Sequence, residues 1–147
     1  MPLRSLLAAL SLPGLVLATP ALTEDVMIPA EDLPFALEAP GQPQELAALW
    51  GNRAAGPAGT LLRTPGGFRA PVHTHTADYR AVVIEGVWSH WVTGEGEAEG
   101  EAEGPPLPPG SYWTQVAGQP HADACLSETP CVILLLNEEP YATEVVE

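Results

Sequence analysis

The chain contains no lysine. Its five basic residues are all arginine (Arg4, Arg53, Arg63, Arg69 and Arg80), against 19 acidic ones, and the formal net charge over 147 residues is −14. Without lysine, Schiff-base chemistry is excluded. So few basic residues make no patch or stripe, which argues against nucleic acid and against anionic membrane surfaces. No G-x-S-x-G elbow occurs, so a serine hydrolase is not indicated. Past the N-terminus no apolar run reaches membrane length, and residues 131–136 make only a core strand. No long amphipathic helical pattern is present. The length suits one domain and not two.

What is present begins with an export pattern. Arg4 precedes a short apolar stretch over residues 5–17, and small residues at 16–18 or 19–21 offer a cleavage site. Residues 1–21 therefore read as a signal peptide, and the protein as secreted or periplasmic. Pro13-Gly14 interrupts the apolar stretch and no cysteine follows it, so no stable membrane anchor is expected. Residues 22–45, rich in Pro, Glu and Ala, read as an N-terminal arm or linker able to add an edge strand. Residues 46–147 read as the folded domain. Short strands are predicted at 46–50, 60–64, 68–75, 77–85, 87–93, 111–116, 121–125, 131–137 and 141–146, punctuated by Gly/Pro turns. That pattern indicates an all-β sandwich or barrel. Residues 94–104 alternate Glu with Gly and Ala, which predicts a solvated loop. A weak hard-cation site is its other reading.

All four histidines fall between His73 and His121. In an extended segment His73-Thr74-His75 presents both imidazoles on one face, because side chains alternate. Tyr79, Ala81, Val83 and Glu85 share one parity. A two-residue hairpin at Glu85-Gly86 would set Val83 opposite Trp88 and Ala81 opposite His90, bringing His90 to the inner face. Any single histidine is more simply a hydrogen-bonded core residue; His73, His75 and His121 together suggest metal ligands. His90 is either a further ligand or a hydrogen-bonding support. The only cysteines, Cys125 and Cys131, enclose a tight turn. In an exported chain such a pair suggests a disulfide. A Cys125 thiolate near the metal and free buried thiols are the other readings.

The spacing around these residues resembles the cupin superfamily (RmlC-like). Gly67, His73, His75, Tyr79 and Gly86 fit the first cupin motif, G-x5-H-x-H-x3-E-x6-G, with Tyr79 in place of Glu. Gly110, Val116, Gly118, His121 and Cys125 fit the spacing of the second, G-x5-P-x-G-x2-H-x3-N, with Val116 and Cys125 as departures. The strings His-Thr-His-Thr-Ala-Asp-Tyr-Arg and Pro-Gly-Ser-Tyr-Trp-Thr-Gln look like a narrower group of small single-domain cupins catalogued as a domain of unknown function. The resemblance implies a cupin-type double-stranded β-helix (jelly-roll) barrel with a divalent transition metal (Zn, Fe, Ni, Cu or Mn) inside. A homodimer is the guess the resemblance adds.

With no carboxylate at position 79, an imidazole-only site would keep the full divalent charge and favour a small anionic organic ligand or substrate. The two-histidine, one-carboxylate triad of many iron oxygenases is not visible. Tyr79 and His90 are the proton-transfer candidates. Trp88 is the aromatic pocket-wall candidate, and Arg69 and Arg80 could steer an anion. Two functions follow. One is a metal-dependent enzyme of oxygenase, isomerase or hydrolase type; the other is a non-catalytic binding or sensing barrel.

Overall fold

The computed structural model describes residues 24–93 and 104–146. The signal-peptide reading of residues 1–21 and most of the acidic 94–104 segment lie outside the described residues. Among the described residues, a 3₁₀ turn at Ala30–Asp32 is followed by eleven strands: β1 Ala36–Leu37, β2 Glu45–Gly51, β3 Ala58–Thr64, β4 His73–His75, β5 Tyr79–Glu85, β6 Trp88–Val92, β7 Pro106–Leu107, β8 Tyr112–Gln115, β9 His121–Cys125, β10 Cys131–Asn137 and β11 Thr143–Val145. They form two antiparallel sheets, ordered β1-β2-β3-β10-β5-β8 and β11-β4-β9-β6-β7. This is an all-β jelly roll, as the resemblance implied.

Alternation explains which side chains enter the interior. On β5, Tyr79, Ala81 and Val83 are buried, while Arg80 and Ile84 are exposed. On β10, Ile133 and Leu135 join Val83 and Trp88 in the main core between the sheets. Val132 turns the other way, into a second cluster with Ala47 and Leu61. Leu33 and Phe35 of the N-terminal arm pack against that cluster. With apolar neighbours on both faces, β10 has no polar side and reads as a continuous hydrophobic run. The arm also supplies β1, an edge strand on β2.

The expected hairpin at Glu85-Gly86 does not form. β5 pairs with β10 and β8, whereas β6 pairs with β9 and β7, so the chain crosses from one sheet to the other there. Gly86 has φ 76°, and a Cβ on it would lie 2.6 Å from Cys131 Sγ. Only glycine satisfies both conditions. His90 reaches the interior by another register: it lies opposite Asp123 of β9. The predicted strand over 68–75 is also cut short, to His73–His75, with Arg69 held to Ala124 by an isolated bridge.

Cys125 and Cys131 form a disulfide. It joins the end of β9 in one sheet to the start of β10 in the other. The thiolate reading of Cys125 is thereby overturned.

Candidate metal centre

Two strands of the smaller sheet position the cluster. β4 pairs with β9 so that His73 lies opposite His121, and β4 itself sends His75 to the same face. The three rings stand with centroids 4.2 to 4.9 Å apart, and all three residues are buried. Their ligand atoms lie within 4.8 Å of one another.

The hydrogen bonds set the tautomers. His73 Nδ1–H donates to the Pro71 carbonyl at 2.8 Å, and His121 Nδ1–H donates to the Gln119 carbonyl at 2.9 Å. Each ring then carries its lone pair on Nε2. His75 completes the pattern with Nδ1 at 3.2 Å from the Thr143 hydroxyl and Nε2 at 2.9 Å from the Tyr141 hydroxyl. An outer N–H fixed by a carbonyl or hydroxyl, with the inner nitrogen facing its neighbours, is the arrangement of metal-binding histidines. Burial, with adjacent imidazoles contributing, lowers the His75 pKa to about 3. Burial likewise lowers that of His121 to about 4. Both rings are therefore neutral and able to ligate at ordinary pH.

The donor set is not imidazole alone, which corrects the sequence reading. Asp123 Oδ2 lies 3.6 Å from His73 Nε2 and 3.9 Å from His121 Nε2. Atoms bound tetrahedrally at ordinary Zn–N and Zn–O lengths stand about 3.4 Å apart, so small side-chain shifts would bring His73, His121 and Asp123 onto one ion. Asp123 is buried. Burial opposes its ionisation, but the hydrogen bond from His90 and the electrostatic influence of the surrounding imidazoles outweigh it and hold the carboxyl below its usual range. The fit to a metal is also visible in what remains unsatisfied: His121 Nε2 is buried and has no hydrogen-bond partner. A buried nitrogen lone pair left unpaired is costly unless a proton donor or a cation meets it.

His90 spans two neighbours rather than offering a free nitrogen. Its Nδ1 lies 2.8 Å from Asp123 Oδ1 and its Nε2 lies 2.9 Å from Gln115 Oε1. The Gln115 amide is oriented by donating to the Val116 and Gln119 carbonyls. Trp88 Nε1–H donates to Asp123 Oδ1 at 3.0 Å. Trp88 thus lines the cavity and also anchors the carboxylate. His90, His121 and Asp123 make a second group close enough to share an ion, but only by giving up these bonds.

Tyr79, at the motif's carboxylate position, is buried with its ring 5.2 Å from His75. Its hydroxyl accepts from Trp113 Nε1–H at 3.3 Å. Burial, with Asp123 nearby, raises its pKa well above the usual phenol value. The phenol that meets a ligand atom is Tyr141. Thr143 of β11 lies opposite His75, and two residues earlier Tyr141 stacks on the His75 ring at 4.4 Å. Sequence reasoning missed both Asp123 and Tyr141. Asp123 carried a signal: His121-Ala122-Asp123 repeats the two-residue parity of His73-Thr74-His75.

A cavity of about 610 Å³ opens over the cluster. His73, His75, Asp123, Tyr79 and Tyr141 form its buried part. Leu62, Phe68, Trp113, Ile133 and Leu135 make apolar walls, and Arg53 and Arg69 line it as well. Arg80, the other arginine considered for steering an anion, pairs with Glu138 at 3.8 Å and does not line this cavity. Glu85 lies at the opposite end of β5 from Tyr79 and is exposed.

Solved structures share the fold at low identity. A polyketide cyclase, RemF, from Streptomyces resistomycificus superposes with TM-score 0.62 at 18% identity, covering 84% of this chain and 87% of that one. A sugar phosphate isomerase of the cupin superfamily from Silicibacter pomeroyi gives 0.61 at 16%, covering 83% and 82%. KdgF from a Halomonas species gives 0.57 at 16%, covering 78% and 95%. No curated protein sequence matches the chain. The chain shares the cupin-type fold of these structures, and residues 38–141 match the family described as a domain of unknown function, DUF4437, to which the chain belongs.

Proposed function

We propose that the protein is an exported metal-dependent enzyme that acts on a small anionic organic molecule inside the barrel. One divalent transition ion would be held by His73, His75 and His121 through Nε2 and by Asp123 through Oδ2. The observation that carries this reading is the convergence of one ring nitrogen from each of three histidines, with His121 Nε2 buried and unpaired beside a buried carboxylate. Imidazole with one carboxylate suits Zn, Fe, Ni, Cu or Mn better than Mg or Ca. Such an ion would supply Lewis acidity toward a substrate oxygen. One carboxylate leaves a divalent ion with net positive charge, so an anionic ligand is favoured.

The chain's own groups would do the rest. Asp123 is steadied by Trp88 and His90, and His90 by Gln115. The Tyr141 hydroxyl is the proton-bearing group nearest a ligand atom. The apolar walls keep water away from the ligand. The disulfide is compatible with an extracytoplasmic location and supports the export reading of residues 1–21.

Elemental analysis after dialysis against a weak chelator tests the metal. Wild type should retain about one ion per chain, and His73→Ala, His75→Ala and His121→Ala should each lose it. Unchanged metal in all three would overturn the proposal. Full metal with no turnover across small carboxylic acids, in air and under anaerobic conditions, would favour a binding or sensing barrel.

A further inference from the structure

Arginine is scarce here, and its placement is uneven. Of the four arginines in the described residues, Arg63 pairs with Glu45 at 2.7 Å and lies over Phe35, and Arg80 pairs with Glu138. The other two, Arg53 and Arg69, line the cavity that holds the histidines. In a chain of net charge −14, the long-range field repels anions, so an anion is held only by local positive groups.

Arg53 is the better placed of the two. Its side chain is 18% exposed, and its guanidinium lies 4.6 Å over the Tyr141 ring. The Tyr141 N–H donates to the Arg53 carbonyl at 2.7 Å, which ties the two backbones together. The turn that carries Arg53 is fixed from both sides. The Asn52 side chain accepts from the Ala54 N–H, and the Asn137 amide donates to the Gly56 carbonyl. The guanidinium spends one contact on Glu38, at 3.3 Å. A guanidinium carries five N–H donors in a planar fork. Phe68, Trp113 and Leu135 line the same cavity.

We propose that Arg53 reads a carboxylate at one end of the ligand, while the ligand's opposite, polar end reaches the histidine cluster past Tyr141 and its apolar body lies along Phe68 and Trp113. The ligand class is therefore an aryl- or alkyl-bearing carboxylic acid whose acidic group sits away from the metal. This rests on the proposed small-molecule function, and it differs in placing the negative charge at Arg53 rather than on the ion.

An isosteric acid and amide separate the two placements. Naphthaleneacetate and naphthaleneacetamide are titrated calorimetrically into the full chain, metal-free and zinc-loaded. Wild type should bind the acid at least about tenfold more tightly than the amide in both forms. Arg53→Gln should abolish that preference in both. Arg53→Lys, which keeps charge without the fork, should retain a weakened preference and checks that the site still folds. Arg80→Gln should change nothing. Equal binding of acid and amide by wild type, or binding of neither, would overturn the proposal. So would a preference that survives Arg53→Gln but vanishes with the metal, since the ion would then hold the carboxylate. Failure to take up zinc with the Arg53-dependent preference intact would instead sink the metal centre and leave the Arg53 assignment standing.

Discussion

At one end of β9, His121 and Asp123 face a cluster of imidazoles, phenols and amides; at the other, Cys125 is bonded to Cys131 beside Val83, Ile133 and Trp88. All five residues of the strand are buried, so both ends have lost water. The cystine end meets that loss with apolar contact and a covalent link. The histidine end meets it with hydrogen bonds, and there one nitrogen is left without a partner. A buried polar cluster with a single open valence is well suited to receiving an ion. The covalent link and the candidate metal site thus occupy opposite ends of one strand.

The largest expected effect falls at the polar end. Asp123→Ala removes the acceptor of Trp88 and His90 and leaves both buried without it. Leaving these two donors without their acceptor costs about 1–3 kcal/mol each. Urea denaturation should show that loss as a lowered midpoint, together with loss of metal. A shift no larger than that of an exposed substitution would mean that Asp123 is not the hub of the polar end.

The cystine end should lose less and leave the chemistry alone. A six-residue separation corresponds to about 2 kcal/mol in the chain-entropy model. The double variant Cys125→Ala/Cys131→Ala should show that drop in urea denaturation and keep its metal. Loss of metal in the double variant would show that the two ends are coupled.

Acid should distinguish the ends next. His75 and His121 have folded pKa values of about 3 and about 4, below the ordinary 6.5. Above about 6.5 they are neutral in both states and cost nothing. As pH falls below that, the unfolded chain takes up protons that the folded chain refuses, so stability declines progressively toward about 4 and then about 3. Thermal melts of metal-free protein should show this decline over that window. A His75→Phe/His121→Phe variant should flatten it. A decline of equal size in that variant would assign the acid sensitivity elsewhere.

The smallest effects separate the two phenols. Tyr79→Phe removes a 3.3 Å hydrogen bond from Trp113. It should cost at most about 1 kcal/mol and leave metal content unchanged. Tyr141→Phe removes the hydroxyl that occupies His75 Nε2. It should strengthen zinc binding by a few-fold, about 0.5–1.5 kcal/mol, read by competition with a chromogenic chelator. Loss of zinc in Tyr79→Phe alone would give the coordinating role back to position 79.

The legible half of this arrangement was local. Alternation within His73-Thr74-His75 and the motif spacing to His121 point to one face without any tertiary information. Asp123 was legible by the same alternation, but the motif directs attention to position 79, where Tyr79 stands. Tyr141 was not legible: it meets His75 across 66 residues, through the pairing of β11 with β4, and nothing in its neighbourhood encodes that register. The Glu85-Gly86 turn misled because a hairpin and a sheet crossover look alike over a few residues. What decides between them is the approach of Cys131 to Gly86, a contact between distant segments.

X-ray absorption at the zinc edge of the zinc-loaded protein tests the metal centre most directly. Three imidazole nitrogens and one carboxylate oxygen at about 2.0–2.2 Å are expected, and His121→Ala should hold no stoichiometric zinc. Zinc surrounded by oxygen alone, as on an acidic surface, or stoichiometric zinc with an unchanged imidazole count in His121→Ala, would contradict a metal centre built on His73, His75, His121 and Asp123.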